Sequence, residues 1–128
     1  MADNQSYGEI ISKNEAEQQF GSTDTSQIID SIRLQQIAGM SSNLLMFNII
    51  DGKIVILGDK REILYPEGYS VASETVFKVY SKTKVLELME TGGAEDNFVE
   101  LRGETLTITN GDSCLEFGSL CPPVCGSE

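Results

Sequence analysis

Residues 43–59 read "NLLMFNIIDGKIVILGD", and this stretch decides the fold class. Two runs of apolar and β-branched residues flank Asp51-Gly52. Asp-Gly favours a two-residue type I′ turn, because both turn positions take positive φ. That turn fixes a register in which Ile50 faces Lys53, Ile49 faces Ile54 and Phe47 faces Ile56. Opposed residues share a face, so Leu45, Phe47, Ile49, Ile54 and Ile56 line one side. The other side carries Leu44, Met46, Asn48, Ile50, Lys53, Val55 and Leu57, and it too is mostly apolar. A half-solvated antiparallel sheet alternates apolar and polar residues, and this hairpin does not. Both faces are therefore expected to be covered, by N-terminal helices or by a second subunit. Leu44, Met46, Val55 and Leu57 become candidate interaction residues, and a homo-oligomer is the expected assembly.

Upstream, residues 1–11 are polar and are expected to fray. "SKNE" at 12–15 is a capping box that starts a short helix over 13–20, stopped by Gly21. The stretch from Thr25 to Gly39 reads as a second helix, with Ile28, Ile29 and Ile32 as its stripe. Downstream, residues 59–73 form a polar connection with a turn at Pro66–Gly68. Residues 74–81 read as a strand. Ser81 caps a helix that buries Val85, Leu86 and Met89 and stops at Gly92-Gly93. Residues 95–103 are a strand. "ETLTITNGDSCLEFG" at 104–118 is a second hairpin, turning on Asn110-Gly111. It alternates: Leu106, Ile108, Ser113, Leu115 and Phe117 on one face, Thr105, Thr107, Thr109, Asp112, Cys114 and Glu116 on the other. The second face reads as wet. The fold class is α+β: a mainly antiparallel sheet of about six strands built from two hairpins, with two N-terminal helices and one central helix.

The bulk composition fits one ordinary globular domain over residues 1–128: 40% hydrophobic and 23% charged residues. No apolar run approaches the roughly 18 residues of a membrane span. The first twenty residues carry no basic and apolar leader, so the cytoplasm is the expected compartment. Net charge is −11, concentrated in the last third, where residues 85–128 carry one basic and nine acidic side chains. Such a surface repels nucleic acid and anionic lipid. It suits a basic protein partner, and Glu100, Glu104 and Glu116 are the candidate contacts. Lys53, Lys60, Arg61, Lys78, Lys82 and Lys84 form the one cationic set, and they read as solvated lysines and arginine.

The chain has no histidine, which removes Ser-His and Cys-His nucleophile pairs and the imidazole base. It has no GxGxxG or GK[ST] phosphate loop. All three cysteines, Cys114, Cys121 and Cys125, lie in "SCLEFGSLCPPVCGSE" at 113–128. Their spacing is not that of paired C-x2-C zinc ligands, nor of a C-x-x-C redox motif. The expected reading is three reduced thiols, with residues 119–128 a stiff Cys/Pro tail packed on the domain. The function expected from these features is that of a small, acidic, cytoplasmic, non-catalytic binding protein without a cofactor. It would contact another copy of itself and a basic protein, in the manner of an immunity or antitoxin protein. A thiol redox or metal-binding protein using Cys114, Cys121 and Cys125 is the alternative. A ligand-binding domain or enzyme with a carboxylate-lined pocket is the third.

Overall fold

The computed structural model describes residues 7–72, 74–103, 105–116 and 118–121, the last three by backbone alone. In chain order these residues form β1 (Glu9–Ser12), α1 (Lys13–Phe20), β2 (Thr25–Asp30), α2 (Ser31–Ala38), β3 (Leu44–Ile50) and β4 (Lys53–Leu57). Then come β5 (Ile63–Tyr65), β6 (Phe77–Ser81), α3 (Lys82–Gly92), β7 (Asp96–Arg102), β8 (Thr105–Asn110), β9 (Ser113–Glu116) and β10 (Ser119–Cys121). The fold is α+β, with two five-stranded antiparallel sheets among the described residues, not one sheet of six strands. Sheet A runs β1-β9-β8-β7-β2 and sheet B runs β10-β6-β3-β4-β5.

The sheets face each other across one core. Sheet A contributes Ile29, Val99, Leu106, Ile108 and Leu115, and sheet B contributes Leu45, Phe47, Ile54, Ile56 and Tyr80. Helices α2 and α3 add Leu34, Ile37, Ala38, Val85, Leu88 and Met89 to the same core. Burial of each Val, Leu, Ile, Phe and Met side chain among these contributes on the order of 1.5–3 kcal/mol. A second cluster lies on the far side of sheet B: Leu44, Met46, Val55, Leu57, Phe77 and Val79, overlaid by Tyr7, Tyr69 and Val71.

The first hairpin has the register its turn demands, Ile50 to Lys53 through Met46 to Leu57. Asp51 and Gly52 both take positive φ, 53° and 76°. Both faces are covered, but neither a second subunit nor an N-terminal helix covers the Met46 face. Tyr7 and the connection after the Pro66 turn close over it within the chain. Leu44, Met46, Val55 and Leu57 are 6% exposed or less. The ground for an oligomer built on that face is thereby removed.

Three readings of the N-terminal half are corrected. Residues 9–12 are not frayed: β1 pairs antiparallel with β9, Ile10 opposite Leu115 and Ile11 opposite Cys114. The helix from Thr25 is instead strand β2 followed by helix α2. Thr25, Ile28 and Ile29 are β-branched and suit a strand, and Asp30 is a strong N-cap whose Oδ1 accepts the Arg33 amide at 2.7 Å. The connection 59–73 holds a short strand, β5, at the edge of sheet B.

The second hairpin turns one residue later than read, on Gly111-Asp112, with Asn110 opposite Ser113. Gly111 takes φ 61° in the first turn position, where a primed turn can require glycine. Asn110 is withheld from the turn by its own side chain. Its amide nitrogen donates to Ala94 O and Asn97 Oδ1, and its oxygen accepts the Ala94 N–H. The slip is of two residues in register, so every side chain keeps its face.

Helix α1 begins with the capping box: Ser12 Oγ accepts the Glu15 amide and Glu15 Oε1 accepts the Ser12 amide. It carries the chain from β1, at one edge of sheet A, to β2, at the other. Ser81 is the N-cap of α3, but its hydroxyl accepts the Tyr7 N–H instead of a helix amide. In α3 the buried residues are Val85, Leu88 and Met89, while Leu86 faces out at 37% exposure.

Candidate functional site

The outer face of sheet A divides into two halves of opposite character. The half under α1, which the alternation of the second hairpin predicts to be wet, is buried. Glu100 Oε1 accepts from Arg102 Nη2 at 3.1 Å, Thr107 Oγ1 at 3.2 Å and Thr109 Oγ1 at 2.6 Å. Arg102 Nη1 donates to Gly21 O at 2.8 Å, which ties the end of α1 to β7. Arg102 is 1% exposed, Thr107 0% and Cys114 0%. A charged pair at this depth is stable only when its remaining hydrogen-bonding groups are satisfied, and here they are.

Glu100 is therefore a buried ion-pair partner and not a surface contact. Glu116 is likewise inside, 3.0 Å from Lys78 Nζ. The Tyr80 hydroxyl donates into a group of three acceptors, with Leu106 O at 2.8 Å, Glu116 Oε1 at 2.9 Å and Leu115 O at 3.2 Å. Burial raises the Tyr80 hydroxyl well above its ordinary value of 10.0, and the Glu116 charge pushes it the same way. Glu104 lies outside the described residues. The proposed acidic triad is thus not a shared outward face.

Cys114 is a free, buried thiol. Burial raises it from its ordinary value of 9.0, against the lowering effect of hydrogen bonds from Thr109 and Thr107. Cys114 lies in sheet A and Cys121 in sheet B, and Cys125 falls outside the described residues. Among the described residues no group of three Cys, Asp or Glu side chains is placed to hold a metal ion. The cationic set is dispersed. Lys78 pairs with Glu116, Lys82 Nζ donates to Ser41 O and Arg61 donates to Ala72 O and Thr75 O.

The other half of the outer face is open. Ile28 on β2 stands directly opposite Phe98 on β7, and they are 56% and 38% exposed. Next in line Asp30 stands opposite Asp96, both exposed. Beyond them lies a groove of about 640 Å³ lined by Asp30, Ile32, Arg33, Gln36, Glu95 and Asp96. Ile32 is 72% exposed there. The groove floor is fixed by hydrogen bonds. Asn97 Nδ2 donates to Ile29 O and Ser31 Oγ, Ser31 Oγ donates to Ala94 O, and the Ser31 amide donates to Glu95 O. The sequence reads Ile28 as part of a helical stripe and does not single out Phe98, seventy positions away. Compared with known proteins, the chain matches no family model, no curated protein and no solved structure. No described helix is long and apolar enough to cross a membrane.

Proposed function

We propose that this protein works by binding a basic protein partner through the β2 side of sheet A. The observation that carries this reading is the exposed Ile28–Phe98 pair, continued by Ile32 and bordered by Asp30, Glu95 and Asp96. Large apolar side chains grouped at the surface and rimmed by charge are the usual signature of a protein contact. The acidic border supplies the complement to a basic partner and speeds its approach. Glu100 and Glu116 are buried, so the acidic contacts for such a partner are the exposed Asp30, Glu95 and Asp96.

The test compares proteins that copurify with the wild type, with Ile28→Lys and with a control, Leu86→Lys, near the start of α3 and outside the groove lining. A partner held by the wild type and the control but lost from Ile28→Lys supports the reading. Identical partners in all three overturn it.

A further inference from the structure

We propose that the partner docks as an added antiparallel strand on the open edge of β2, reading basic-x-apolar in its own direction. This rests on the binding face proposed above and names its occupant. Among the described residues β2 ends sheet A and pairs only with β7. The Ser31 amide donates to Glu95 O at 2.7 Å, which continues the ladder one step past the Asp30–Asp96 pair. Hydrogen-bonded pairs alternate along an antiparallel ladder, so Thr25, Gln27 and Ile29 turn their backbone groups toward β7. Ser26, Ile28 and Asp30 turn theirs outward, and no backbone partner meets them among the described residues. The edge carries no lysine, proline or bulge across Ser26–Asp30, the usual guards against strand addition.

Side chains specify the guest. A partner residue opposite Ile28 lies in line with Ile28 and Phe98 on the outer face, and an apolar residue there extends the strip. The residue two places before it falls opposite Asp30, in line with Asp96. Like charges directly opposed are unfavourable, and a lysine or arginine beside them relieves the repulsion. The groove beyond holds a third carboxylate, Glu95, against one cation, Arg33, whose guanidinium sits 5.8 Å over the Tyr65 ring. Main-chain bonds give such a complex its affinity and alternate side chains its selectivity.

The probe is a blocked nine-residue peptide, threonine throughout except for lysine at the third position and valine at the fifth and seventh. Amide hydrogen exchange of the intact protein is followed on titration. Slowed exchange at Ser26, Ile28 and Asp30, without change at Gln27 and Ile29, is expected. Absence of that alternating pattern at peptide concentrations up to about 1 mM, the range of weak complexes, overturns the proposal. Ser26→Pro removes one outward donor while sparing the β7 ladder, and it should weaken binding about fivefold. Asp96→Asn should weaken it about threefold and reduce the salt dependence. Binding that survives Ser26→Pro but is lost in Ile28→Lys means the face is used without strand addition; this inference falls and the binding face stands. Binding indifferent to both variants removes both. Tighter binding of the reversed peptide overturns the antiparallel order. Protection that appears with rising protein concentration alone makes the guest a second copy, and the basic partner is then excluded.

Discussion

The two halves of sheet A's outer face invert the usual rule of burial. Under α1 the sheet buries Glu100, Arg102, Thr107 and Thr109, while a few ångströms along the same strands it exposes Ile28 and Phe98. The difference follows from what lies above each half. Helix α1 has a single fully buried residue, Ala16, and its polar surface offers little apolar cover. A polar sheet face that closes its own hydrogen bonds can accept such a lid, because nothing is left unpaired. Among the described residues the open half has no helix laid over it, and Ile28 and Phe98 stay exposed. Polarity alone does not tell an exposed strand face from a buried one; the covering element does.

The sharpest break in this contrast is Arg102→Met. It leaves the Glu100 carboxylate buried without its cation, and thermal or urea unfolding should register a loss of about 3–5 kcal/mol. Adding Glu100→Gln in the same chain should recover much of it. If Arg102→Met is neutral, the network under α1 is solvated and the comparison fails.

Adjacent residues of β2 provide the next contrast. Ile29→Ala opens a cavity in the core and should cost about 2–5 kcal/mol, whereas Ile28→Ala should stay within about 0.5 kcal/mol. Equal costs would mean that Ile28 is covered in the free protein.

Alkaline titration probes the buried half through Cys114 and the core between the sheets through Tyr80. The folded-state pKa values of Cys114 and Tyr80 are raised, so the folded protein holds these protons more tightly than the unfolded chain does. Their contribution is complete below the ordinary values, 9.0 for the thiol and 10.0 for the phenol, and is lost as pH rises beyond them. Each group contributes a slope of up to about 1.4 kcal/mol per pH unit. Stability measured by urea should begin to fall above the thiol value, and Cys114→Ala should move the onset to the phenol value. A flat profile across this range contradicts the burial of both. The smallest effect belongs to Phe98→Thr on the open half, which should shift the melting temperature little at any pH.

The sequence made the first hairpin legible to the residue, because Asp51-Gly52 admits one tight turn and the flanking runs one register. It made the second hairpin's faces legible but not its turn. Asn110 satisfies the turn rule locally, yet its amide is committed to Ala94 and Asn97, contacts that no local pattern reveals. The β2–α2 segment mimics a single helix because Ile28, Ile29 and Ile32 satisfy helical spacing by coincidence. Only Ile29 is buried, and Asp30 marks the true start of the helix. The burial of Glu100 and Glu116 is illegible in the sequence because their partners meet only in the folded protein: Arg102, Thr107 and Thr109 within sheet A, Tyr80 and Lys78 from sheet B across the core. The candidate face shares that difficulty, since Ile28 and Phe98 meet only when β2 pairs with β7.

That pairing bears on how the chain is made. β2 is synthesised about seventy residues before the strand that completes it. At roughly 5–20 residues per second, the Ile28 segment leaves the ribosome several seconds before Phe98 exists to meet it. β1 waits longer still for β9, and neither N-terminal strand has a local partner in the meantime. Contacts so distant along the chain form slowly even when the full sequence is present. During that interval β2 has two bare edges, not one. The edge proposed to take a partner strand in the finished protein is therefore exposed on both sides until β7 has been made.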